Sequence, residues 1–90
     1  MAIISCTSSL KRFFPTLKRQ EIQATTLLES INQMNVHYPG FKDYILDEHE
    51  QLREFLNVYV DNQLLTDRQH LTLKVEGETN IYIAQAISGG

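Results

Sequence analysis

Ninety residues with a net charge of −3, 42% hydrophobic and 21% charged content make one small domain with a single core, and exclude a disordered, collagen-like or coiled-coil chain. No apolar run approaches the ~20 residues of a membrane span, and no basic stretch followed by a long apolar one marks the N-terminus, so the expectation is a cytoplasmic protein with no membrane partner. Cys6 is the single cysteine, which excludes an internal disulfide, and its apolar setting Ile3-Ile4-Ser5-Cys6 predicts a buried thiol, not a nucleophile.

Residues 2–6 read as a first strand, and Thr7 to Pro15 as an irregular link holding Leu10 and Phe13-Phe14. Leu17 to Ala24 alternates imperfectly and predicts a second strand in a hairpin with the first. Thr26 followed three residues later by Glu29 is a capping-box pattern that meets the free N–H groups of a helix start. Leu27, Ile31, Met34 and Tyr38 then recur at helical spacing, which predicts a helix from Leu27 to His37. Pro39-Gly40 ends it, because proline drives the residue before it out of the helical region and glycine permits the turn that follows.

Phe41 to Leu46 is a short second helix or a turn, and Asp47 to Glu54 a polar, acidic link. Phe55 to Val60 is the clearest strand: Leu56, Val58 and Val60 share one face, Phe55, Asn57 and Tyr59 the other, and Asp61-Asn62 stops it. A short extended piece near Gln63 to Leu65 follows, then a loop through His70, and Leu71 to Val75 reads as another turn or one-turn helix. Gly77 precedes a last strand at about Asn80 to Ala86. One helix crossing one face of a mixed sheet is an α+β layer arrangement.

Chemistry-bearing groups are sparse along this order. His37, His49 and His70 lie 12 and 21 residues apart and match no zinc spacing, so no metal site is expected. Asp47, Glu48 and Glu50 crowd a predicted loop, where a solvated surface is the simpler reading than an acid/base pair. Lys11, Arg12, Lys18 and Arg19 near Phe13-Phe14 form no RNP-like pattern in an acidic chain, so no nucleic-acid partner is expected. Without a glycine-rich phosphate loop either, the chain is not expected to be an enzyme.

The remaining feature is Ser88-Gly89-Gly90, where two of the four glycines stand last, directly behind Ile81-Tyr82-Ile83-Ala84-Gln85-Ala86-Ile87. A side-chain-free pair makes a thin thread that approaches another protein's active site closely, which points to the terminal carboxylate as the reactive group.

Taken together, Thr26-Leu27 through Tyr38-Pro39-Gly40-Phe41, Phe55-Leu56-Asn57-Val58-Tyr59-Val60-Asp61, and Ile81-Tyr82-Ile83 ending Ala86-Ile87-Ser88-Gly89-Gly90 resemble the ThiS/MoaD family of ubiquitin-like sulfur carrier proteins. The form is similar to molybdopterin-synthase small subunits and to the carriers that feed cysteine synthases. The resemblance implies a β-grasp body over residues 1–84 and a flexible tail over 85–90. It implies that an E1-like, ATP-dependent enzyme adenylates the Gly90 carboxylate, and that a sulfur source turns the adenylate into a thiocarboxylate. A sulfur-accepting synthase of the molybdopterin, cysteine or thiazole kind would then take the sulfur, with no cofactor bound to the carrier itself. Gln85, Ala86, Ile87, Ser88 and Gly89 would run into the partner's tunnel, while Phe55, Tyr59 and Tyr82 belong to a core, a docking face, or both. Gln85, where many relatives have proline, and Glu76-Gly77-Glu78-Thr79-Asn80, where they have an Asp-Gly-Asp type of turn, depart from the family pattern. Two other roles stay open: a protein modifier joined to lysines through Gly90, and a β-grasp interaction module that needs no tail.

Overall fold

Apolar residues at every second position build the centre of the molecule. The computed structural model describes residues 1–85. Strand β1 (Ala2–Cys6) pairs antiparallel with β2 (Gln20–Ile22), and helix α1 (Leu27–His37) and the single-turn helix α2 (Phe41–Ile45) follow. The hairpin β3 (Leu56–Val60) and β4 (Gln63–Leu64) precedes β5 (Thr79–Gln85), and the sheet order is β2-β1-β5-β3-β4. β5 lies parallel to β1, with Ile4 opposite Ile81, and antiparallel to β3, with Val58 opposite Ile83. This is the α+β, β-grasp arrangement expected: a mixed five-stranded sheet with one main helix across one face. No helix among the described residues is long and apolar enough to cross a membrane.

Alternation assigns the faces. Ala2 and Ile4, Leu56 and Val58, and Ile81 and Ile83 point into a core completed by Leu27, Ile31, Met34 and Tyr38, the predicted helical stripe. Thr26 Oγ1 accepts from Glu29 N at 3.1 Å, one half of the capping box. The Glu29 carboxylate turns instead to the Thr25 hydroxyl at 2.9 Å. Tyr38, the residue before Pro39, is held at ψ 84°, outside the helix, and Gly40 takes φ 93° to start α2. Asn35 Oδ1 accepts from both Gly40 N and Lys42 N, so one side chain of α1 sets the turn between the helices.

Three expectations are revised. The second strand is confined to Gln20–Ile22, because residues 16–18 bind Tyr38 instead: Tyr38 Oη donates to Thr16 O and accepts from Lys18 N, both at 3.3 Å. The irregular link after β1 contains a 3-10 helix, Ser8–Arg12, that buries Leu10. Leu71 to Val75 is an extended segment, neither a turn nor a helix: Leu27 N donates to Leu73 O and Leu28 N to Leu71 O, both at 2.9 Å. It thus receives two of the N–H groups that have no partner inside α1.

Two measurements test this packing. Val58 is fully buried between strands and helix, and Val58→Ala is expected to lower unfolding free energy by about 1–3 kcal/mol in urea titrations. A Cβ on Gly40 meets no atom within 4 Å, so the cost of Gly40→Ala lies in the backbone alone, about 1–2 kcal/mol by the same assay.

Candidate functional site

β5 emerges from the middle of the sheet, and its last residue is Gln85. Gln85 stays in register with Leu56 of β3, its N–H donates to Thr7 Oγ1 at 3.2 Å, and its side-chain Oε1 accepts from Tyr44 Oη at 3.0 Å. Gln85, the last described residue, is therefore held by β3, by Thr7 after β1 and by α2 together. Ala86, Ile87, Ser88, Gly89 and Gly90, which carry the expected chemistry, lie outside the described residues.

An aromatic cluster adjoins Gln85 through Tyr44. The Tyr44 ring has Phe13 at 4.9 Å between centroids and Phe14 at 6.0 Å, edge-on, and Phe14 continues to Phe41 at 5.6 Å. Phe14 is half-buried against the core, whereas Phe13 is 54% exposed. A groove of about 330 Å³ is lined by Asp43, Tyr44, Arg53, Phe55, Leu56 and Gln85. Sequence reasoning missed Phe13 and Tyr44 here: Tyr44 and Gln85 stand 41 residues apart, and no local pattern joins them.

Phe55 is not on β3. The strand begins at Leu56, and Phe55 sits on a turn closed by Leu56 N donating to Arg53 O at 3.1 Å. Arg68 holds that turn from outside: its guanidinium donates to Arg53 O and Leu56 O, each at 2.6 Å, and to Asn57 Oδ1 at 3.1 Å. A planar fork with several donors suits such convergent carbonyls, which an ammonium could not span in the same way. Phe55, 53% exposed, is thus presented at the groove.

Tyr59 and Tyr82 are brought together as cross-strand partners on the outer sheet face, with centroids 6.3 Å apart and Tyr82 40% exposed. Tyr59 lies three positions along β3 from Leu56, roughly 10 Å at strand rise. Hence the three aromatic residues grouped by the sequence divide into a tyrosine pair on the sheet and Phe55 at the exit.

The other titratable groups are structural. Asp47 Oδ1 accepts from His49 N at 2.8 Å and Gln51 N at 3.1 Å, and these amides, Gln51 first, hold its carboxyl below the usual value of 3.8. Glu50 pairs with Lys42 at 2.7 Å on the surface. Asp67 likewise serves the amides of His70 and Gln69, which lower its pKa. Cys6 is half-buried where a buried residue was expected, and desolvation pushes its thiol up to about 12, so it stays protonated at neutral pH. His49 lies near Glu48 at 3.6 Å and His70 near Asp67 at 3.3 Å, all four exposed.

Neither a protein-family model nor a curated protein matches the sequence. Solved structures do. A chain of the Amycolatopsis orientalis BexX/CysO complex superposes with a TM-score of 0.85 at 27% identity, covering 100% of both chains. Mycobacterium tuberculosis CysO gives 0.81 at 19% identity, covering 97% of this chain and all of that one. The small archaeal modifier protein 1 of Methanosarcina acetivorans gives 0.78 at 15% identity, covering 99% and 95%. The chain has the ThiS/MoaD-like ubiquitin fold of these structures.

The capped carboxylates yield a pH prediction. Asp67 is depressed, so its contribution is complete above the ordinary aspartate value of 3.8 and is lost as pH falls through the lower folded value. Thermal melts of Asp67→Asn, whose amide oxygen keeps an acceptor, are expected to lose less stability than the unsubstituted chain on acidification below that value.

Proposed function

We propose that this ThiS/MoaD-like ubiquitin-fold chain is a sulfur carrier whose reacting group is the Gly90 carboxylate. The observation that supports the reading is the exit of β5: a strand paired on both sides ends at an anchored Gln85, and Ala86-Ile87-Ser88-Gly89-Gly90 follow it in sequence. A rigid body that delivers a short thread ending in glycines leaves catalysis to its partners.

The chemistry follows from the carboxylate. It is a poor electrophile, so a Gly90 oxygen first attacks the α-phosphorus of ATP in an E1-like enzyme and pyrophosphate leaves. Hydrosulfide then attacks the acyl-adenylate carbonyl, the bond to the AMP oxygen breaks, and a thiocarboxylate remains. A synthase receives that sulfur; the molybdopterin, cysteine and thiazole pathways are the candidates. In this reading ATP is bound by the partner and the carrier needs no cofactor. CysO solved in a complex with BexX supports the idea that a chain of this fold works in complex with another protein. The modifier names among the neighbours favour a second reading, in which a lysine amine attacks the same adenylate and Gly90 becomes an isopeptide.

The test is intact-mass spectrometry after incubation with a panel of purified E1-like adenylating enzymes, ATP and sulfide. The expected product has one oxygen replaced by sulfur; conjugates to lysines without that product favour the second reading. Adding one alanine after Gly90 is expected to abolish charging and leave the unfolding curve unchanged. Normal charging of the extended chain contradicts the proposal.

A further inference from the structure

Five residues follow Gln85, and at no more than ~3.6 Å each they keep the Gly90 carboxylate within about 18 Å of it. A protein that encloses that carboxylate in a catalytic channel must therefore bring the mouth of the channel close to the rim around Gln85. Here Phe13 and Phe55 are both more than half exposed: Phe13 packs on Tyr44, and Phe55 lines the groove that Tyr44 and Gln85 also line.

The rim is also preorganised. Phe13 stacks on Tyr44, Tyr44 holds Gln85, and Phe55 rides on the turn clamped by Arg68. Rings fixed in advance lose little freedom on association, which is the property of an effective anchor. Tyr59 and Tyr82 lack this link to the exit: they lie about three strand positions away, some ~10 Å along β3.

From these observations we propose that Phe13, Tyr44 and Phe55 form the seat for the adenylating enzyme, a partner whose tail channel opens through an apolar rim. The inference rests on Gly90 being the group adenylated. It assigns recognition to the rim of the exit, and to Phe13 and Tyr44 in particular, whereas the sheet tyrosines are free to serve a different partner.

The experiment is ATP–pyrophosphate exchange with the adenylating enzyme that charges the unsubstituted chain. The Phe13→Ser/Phe55→Ser double variant is expected to raise KM for the carrier about tenfold or more with kcat nearly unchanged. Leu64→Ser, which removes an equally exposed apolar side chain from β4, is expected to leave both constants alone. Phe13→Tyr/Phe55→Tyr keeps the rings and is expected to restore KM, which separates recognition from a folding defect. An unchanged KM in a folded serine double variant overturns the seat while leaving the carrier reading intact. Sedimentation that finds the unsubstituted chain dimeric and the serine variant monomeric also overturns it, since the rim would then bind a second copy. Failure of every adenylating enzyme to act on the unsubstituted chain overturns the carrier reading and the seat with it.

Discussion

Parallel pairing of β1 with β5 is the constraint from which the rest of the structure follows. It joins Ala2–Cys6 to Thr79–Gln85, so the pairing closes a long loop that holds every other element. The cost of that closure is offset by burying Ile4, Ile81 and Ile83 under α1, with β3 adding a second ladder on the other side. Because β5 is central, its direction is set from both sides, and its last described residue, Gln85, is held at one defined point.

Local order around the helix serves the same end. α1 needs partners for its first N–H groups, and these come from Thr26 and from the extended stretch that supplies Leu71 O and Leu73 O. That stretch runs on from the loop holding Arg68, and Arg68 fixes the turn that presents Phe55. Helix capping and the shape of the exit rim are thus connected through one segment, 65–75, which has little regular structure of its own.

Much of this was legible in the sequence where a local rule had no long-range competitor. Thr26, the Leu27-Ile31-Met34-Tyr38 stripe and Pro39-Gly40 are all signals within a few residues, and α1 has the predicted bounds. Leu56, Val58 and Val60 declared a strand by alternation, and Asp61-Asn62 adopt the positive φ of a tight hairpin turn, 48° and 70°. The errors arise where a distant partner decides. The start of the strand expected over Leu17 to Ala24 is taken by Tyr38; Leu71 to Val75, read as a turn or one-turn helix, is recruited by the helix start. The exit rim was invisible for the same reason, since Phe13, Tyr44 and Gln85 are adjacent only after the sheet has closed.

Physically, the account gives the body the tasks of folding and presenting, and leaves one carboxylate to react. The other reactive sulfur-bearing group of the sequence is Cys6, the sole thiol, which is half-buried and whose pKa desolvation raises. The decisive measurement is fragmentation mass spectrometry of the charged protein after tryptic cleavage behind Lys74. The account predicts that the oxygen-to-sulfur exchange maps to the last residue of the Val75–Gly90 peptide, with the Cys6 peptide unmodified. A mass gain that maps to the Cys6 peptide as one added oxygen, with an ordinary carboxylate at Gly90, would contradict it.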